Sequence, residues 1–148
     1  MDKLRVIARS PLFEMLSDPE LDYVAELSRP RHLNSGEVMF EEGDLGDSVF
    51  VIVAGEIEVL RRDATGAQKV LTVLNPMEFF GEMSLVDKEY RSATIRARTD
   101  VDLLQLSAEN LTTFRKNYRD GFTFVIINIA RVLSTRLRDA NSRLAARL

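Results

Sequence analysis

The chain has 148 residues, 45% apolar and 29% charged, which is the make-up of one ordinary globular domain with room for a single core. With no cysteine it can build neither a disulfide framework nor a thiolate metal site, and no apolar run approaches the length of a signal peptide core or a bilayer span, so a cytoplasmic chain without a membrane span is expected. The net charge of −3 conceals a division: residues 1–114 hold 12 Lys/Arg against 21 Asp/Glu, whereas residues 115–148 hold 8 against 2. A basic tail of this kind suits a solvated face better than nucleic acid, because no groove-reading element accompanies it.

Leu4, Ile7 and Ala8 fall at helical spacing and are stopped by Ser10-Pro11. Ser17-Asp18-Pro19-Glu20 starts a second helix with a cap, an early proline and early acids, carrying Leu21, Val24, Ala25 and Leu27 up to Pro30. From Arg31 the period becomes that of strands. Val38–Phe40, Val49–Val53, Ile57–Leu60, Val70–Leu74, Thr94–Arg98 and Val101–Leu106 alternate or run apolar between glycine-rich turns, with Asp63-Ala64-Thr65-Gly66 as a hairpin. Many short strands at regular spacing predict a mainly β fold, a jelly roll (double-stranded β-helix), with N-terminal helices over 1–29, strands over 30–106 and helices over 107–148. Ser107 caps the first of the latter. In the long second one, from about Gly121, the residues Ile126, Ala130, Leu133, Leu137, Ala140 and Leu144 form a coiled-coil-like seam; its first half is expected on the barrel or over a ligand and its second half against a twin subunit, giving a homodimer.

One stretch inside the strand region carries chemistry: residues 79–97, FFGEMSLVDKEYRSATIRA. Gly81 can bring backbone N–H groups close to an anion, with Met83 and Ser84 opening one turn of helix behind it. Arg91, just before Ser92, Ala93 and a strand, offers a guanidinium fork for two phosphate oxygens. Glu82, an acceptor only, would repel a phosphate and is better matched to a hydroxyl such as a ribose 2′-OH. Phe80, Leu85, Ala93 and Ile95 surround these charges with apolar side chains, and a charge in an apolar frame needs a partner.

Phe80-Gly81-Glu82-Met83-Ser84-Leu85, a variable bend, and Arg91-Ser92-Ala93-Thr94 resemble the phosphate-binding cassette of cyclic-nucleotide-binding domains, the family of catabolite-activator-type regulators and kinase regulatory subunits. The likeness continues through Val38–Val53 and Pro11–Ser17. It implies that Glu82 holds the ribose 2′-OH, that Arg91 binds the cyclic phosphate, and that N–H groups around Met83, Ser84, Ser92 and Ala93 complete the cradle. It also implies a ligand, cAMP in preference to cGMP, with the base against Leu71 and Val73 and the C-terminal helix closing over it, Arg131, Thr135 and Arg136 being the helix candidates. The family's Gly-Asp before the cassette is Met77-Glu78 here, so the approach turn is expected to differ. Relatives that regulate DNA carry a helix-turn-helix after the long helix, and none fits in these 148 residues, so no direct DNA binding is expected of this chain.

Two other functions share the architecture. A cupin-like enzyme needs two or three histidines on a metal, and His32 stands alone, so neither metal nor catalysis is expected. A ligand-free jelly roll kept for dimerisation or interaction is the alternative, and the presence of both Glu82 and Arg91 speaks against it.

Overall fold

The computed structural model describes residues 2–86 and 90–147, and of Ser84 and Val86 only the backbone. Two short helices, α1 (Lys3–Arg9) and α2 (Asp18–Leu27), flank a 3-10 turn at Pro11–Phe13. Ser17 caps α2 in a reciprocal box: its Oγ accepts from Glu20 N at 3.4 Å while its own N donates to Glu20 Oε1 at 2.8 Å. Eight strands follow: β1 (Arg29–Leu33), β2 (Val38–Phe40), β3 (Ser48–Ala54), β4 (Ile57–Arg62), β5 (Gln68–Leu74), β6 (Phe79–Phe80), β7 (Thr94–Ala97) and β8 (Val101–Ser107), with the four-residue helix α3 (Met83–Val86) between β6 and β7. Helices α4 (Ala108–Asn117) and α5 (Arg119–Ala146) complete the described chain. Among the described residues no helix is long and apolar enough to cross a membrane.

The strands pair antiparallel into two four-stranded sheets, β1-β8-β3-β6 and β2-β7-β4-β5, the two-sheet closure of a jelly roll. Alternation along β3 and β8 divides the interior. Phe50 and Ile52, with Leu103 and Val101, point between the sheets, where they meet Ile57, Leu74, Phe80 and Ile95. Val49 and Val51, with Leu104 and Leu106, point the other way, onto the helices, against Ile7, Leu12, Phe13, Leu111, Phe114, Val125 and Ile129. Strands β3 and β8 are therefore buried on both faces, which is why β3 reads as an unbroken apolar run.

Two backbone irregularities, one in the pairing and one in a turn, bear on the β5–β6 region. Along the β4–β5 pair, Val59 lies opposite Thr72 but Leu60 lies opposite Val70, leaving Leu71 as the extra residue of a bulge. In the turn before β6, Met77 takes a left-handed backbone (φ 75°), closed by Glu78 N donating to Asn75 O at 3.1 Å and anchored by Met77 N donating to Ile52 O at 2.8 Å. A conformation that glycine adopts freely is thus held here by methionine.

Candidate functional site

A cavity of about 210 Å³ opens between β5, β6, α3, the segment 90–93 and α5. Its polar end is made by Gly81, Glu82, Arg91, Ser92 and Arg136, and its apolar wall by Phe40, Val59, Leu71, Leu74, Phe80 and Ile95. Sequence places Gly81, Glu82 and Arg91 ten residues apart at most; the fold brings them to one end of one cavity by turning the chain from β6 through α3 and back toward β7.

Arg91 is held from below. Its Nη1 donates to Gly81 O at 3.1 Å and its Nη2 to Ser48 O at 3.0 Å, while its Cζ lies 4.0 Å from the centre of the Phe40 ring. Its backbone is fixed to the preceding turn, N to Asp44 O at 2.6 Å and O from Gly43 N at 2.8 Å. The side chain is only 8% exposed, and among the described residues its buried Nε has no hydrogen-bond partner. Burial lowers the pKa of the guanidinium from its ordinary value even though Asp47, Glu82 and Asp44 act to raise it. A buried cation bonded to two neutral carbonyls, with a donor left over, is a site prepared for an anion.

Gly81 explains the close approach. Its φ is +84°, and a Cβ there would stand 2.7 Å from Ser48 O and 2.8 Å from Arg91 Nη1, so any side chain would displace the arginine. Glu82, 6% exposed, has its pKa raised by burial against the lowering effects of its own backbone N–H, Arg136 and Arg91. Its partner is on α5: Arg136 Nη1 donates to Glu82 Oε1 at 3.3 Å, and Nη2 donates to Phe79 O at 3.3 Å. The site is thereby tied directly to the long helix.

Of the residues singled out from sequence, Leu71, Phe80, Gly81, Glu82, Met83, Arg91, Ser92 and Ala93 line the cavity. Ser84 is in α3, but its side chain lies outside the described residues, as does the bend Asp87-Lys88-Glu89. Val73 is a correction. It lies between the lining residues Thr72 and Leu74 and so on the other face of β5; the bulge at Leu71 interrupts the two-residue period that put Leu71 and Val73 together. Arg136 reaches the cavity, whereas Arg131 and Thr135 line a separate cleft with Glu14, Glu78 and Asp139. The seam on α5 is also divided differently: the buried stripe is Gly121, Val125, Asn128 and Ile129, Ile126 and Leu133 pack at its border, and Ala130, Leu137 and Leu144 are exposed.

Sequence reasoning missed Phe40, Val59, Thr72, Leu74 and Tyr90 as lining residues. Tyr90 had a usable signal, a large aromatic in a polar bend next to Arg91; Phe40 had none, since only the fold brings it under the guanidinium. His32 lies elsewhere, on β1, with Nδ1 2.8 Å from Asp102 Oδ1 and a pKa raised by that bond. Among the described residues no three His, Cys, Asp or Glu side chains gather in a way that could hold a metal.

Known proteins share this sequence pattern and fold. The "Cyclic AMP receptor protein" of Thermus thermophilus is 34% identical over 135 residues, 91% of this chain and 61% of that protein. The chain thus spans about three-fifths of the length of this relative and of the "CRP-like cAMP-activated global transcriptional regulator" of Mycobacterium tuberculosis. The N-terminal domain of a transcriptional regulator from Streptomyces coelicolor superposes with a TM-score of 0.78 at 32% identity, covering 94% of both chains. A cyclic nucleotide-binding domain from Methylobacillus flagellatus, at 24% identity, shares the fold with a TM-score of 0.86 over 98% of this chain and 82% of its own. The family model described as "Cyclic nucleotide-binding domain" matches residues 30–118, and the chain belongs to that family.

Proposed function

We propose that this chain is a sensor that binds a cyclic nucleotide, cAMP in preference to cGMP, performs no chemistry on it, and passes its occupancy to α5. The observation that carries the reading is Arg91: buried and, among the described residues, bonded through its side chain to two carbonyls with Nε left over. The cyclic phosphate takes the guanidinium, and N–H groups about Met83, Ser84, Ser92 and Ala93 complete its cradle. Glu82 accepts from the ribose 2′-OH, and the base lies along the Val59–Leu71 wall. The name of the Thermus thermophilus relative supports cAMP as the ligand.

Transmission runs through Arg136. Glu82 shares its carboxylate between this arginine and the ribose hydroxyl, so ligand binds with different affinity to arrangements of α5 that hold Arg136 at 3.3 Å and those that release it. The exposed Ala130, Leu137 and Leu144 of α5 form the surface on which a second copy packs to give the homodimer. A cytoplasmic setting goes with a diffusible nucleotide of this kind.

Calorimetric titration with cAMP, cGMP and 5′-AMP tests the proposal. Saturable, stoichiometric binding of cAMP, weaker binding of cGMP and none of 5′-AMP are expected. No heat from either cyclic nucleotide would leave the jelly roll as an interaction module and reject the sensor.

A further inference from the structure

The mouth of the cavity is rimmed by side chains that are apolar and yet exposed: Leu71 at 51%, Met83 at 41% and Tyr90 at 67%. Tyr90 is the unusual member. The other two tyrosines pack edge to face at 5.3 Å, and the Tyr23 hydroxyl accepts from Asn117 Nδ2 at 3.1 Å. Among the described residues Tyr90 has neither a ring nor a hydrogen-bond partner. Its backbone, by contrast, is pinned: Tyr90 bridges Leu45, and the next amide, Arg91 N, donates to Asp44 O at 2.6 Å. A fixed backbone thus presents a large flat ring at the opening, one residue from the guanidinium, with nothing among the described residues for it to pack on.

We infer that Tyr90 is a positioning residue for the ligand's base, its ring stacking on the base and closing the cavity from the β7 side. The inference rests on the cyclic-nucleotide reading and deepens it. With phosphate at Arg91 and ribose at Glu82 filling the polar end, the base lies between the Val59–Leu71 wall and the apolar rim. A base is planar and has one polar edge, and a tyrosine gives it a flat face together with a hydroxyl that stays wet. Stacking is tolerant of base identity because every base has a π-face, so Tyr90 contributes to affinity for cAMP and cGMP alike and does not set the choice between them.

The test is calorimetric affinity for cAMP and cGMP in the wild-type chain and in Tyr90→Phe, Tyr90→Ala and Arg91→Ala, together with tyrosine emission on saturation with cAMP. Tyr90→Phe should bind within about twofold of wild type, and Tyr90→Ala roughly tenfold more weakly for both nucleotides. Wild-type emission should change on saturation, and that change should be missing from Tyr90→Phe. Loss of binding in Arg91→Ala with undiminished binding in Tyr90→Ala overturns the role of Tyr90 and leaves the nucleotide site standing. So does an emission change that persists in Tyr90→Phe. Absence of binding by the wild-type chain overturns both. Since Tyr90 is two-thirds exposed, ligand-free melting of Tyr90→Ala should match wild type; if it falls, the Tyr90→Phe emission result decides.

Discussion

Replacing Arg91 by methionine separates a guanidinium kept for a ligand from one kept for the fold. In the ligand-free chain the substitution removes hydrogen bonds of 3.0 and 3.1 Å to Ser48 O and Gly81 O and leaves those carbonyls without that donor. Against this, it removes a buried charge with no carboxylate bonded to it among the described residues, together with an Nε that finds no partner there, an orphan donor costing about 1–3 kcal/mol. The thioether keeps the contact with the Phe40 ring, worth about 0.3–1.5 kcal/mol. Relief of the desolvation penalty of a lone buried ion, several kcal/mol, offsets the two hydrogen bonds lost, so a net gain of roughly 0–2 kcal/mol is expected. For a domain of this size that is a rise in melting temperature of about 0–6 °C. With cAMP at a hundred times its dissociation constant the wild-type chain should gain about 2.7 kcal/mol, or roughly 8 °C, and Arg91→Met nothing. Melting by calorimetry with and without ligand reads both effects. A ligand-free Arg91→Met that melts about 6 °C or more below wild type would refute the reasoning, because the guanidinium would then be a structural bolt.

Glu82→Gln should change how stability depends on pH. Burial raises the folded-state pKa of Glu82 above the ordinary 4.5, so the folded form binds the proton more tightly and wild-type stability falls as pH rises from 4.5 through that raised value. Urea midpoints should therefore show Glu82→Gln more stable than wild type at pH ~7, with the gap closing toward pH ~4.5; a constant gap would contradict the assignment. Gly81→Ala should lower stability by about 1–2 kcal/mol from its left-handed backbone alone, and should weaken cAMP further by pushing on Arg91, read from melting and titration together. Met15, 67% exposed at φ 75°, has little packing to lose, so Met15→Gly should raise the unfolding free energy by about 1 kcal/mol in urea.

The strand alternation of β3 and β8, the caps at Ser17 and Ser107, and the convergence of Glu82 and Arg91 on one cavity were legible because each rests on residues close in sequence or on a motif of fixed spacing. Met77 shows the limit of reading a turn by composition: a methionine stands where the family has a glycine, yet the backbone is left-handed, since anchors at Ile52 and Asn75 impose it. Val73 was misplaced because a bulge is a property of two paired strands and leaves no mark on either one. Arg136 could not be chosen over Arg131 and Thr135, since which face of α5 meets β6 depends on packing by Gly121, Val125 and Asn128.

Strand β6 has only two residues, and they look opposite ways: Phe79 packs among the helices and gives its carbonyl to Arg136, while Phe80 faces the cavity beside Phe50 at 5.1 Å. So short a segment has no slack to absorb a push on one ring before the other feels it. On the sensor reading proposed above, a ligand that pushes on Phe80 would reach the helical layer through this two-sided pivot, even in a molecule whose arginine has let go of its carboxylate.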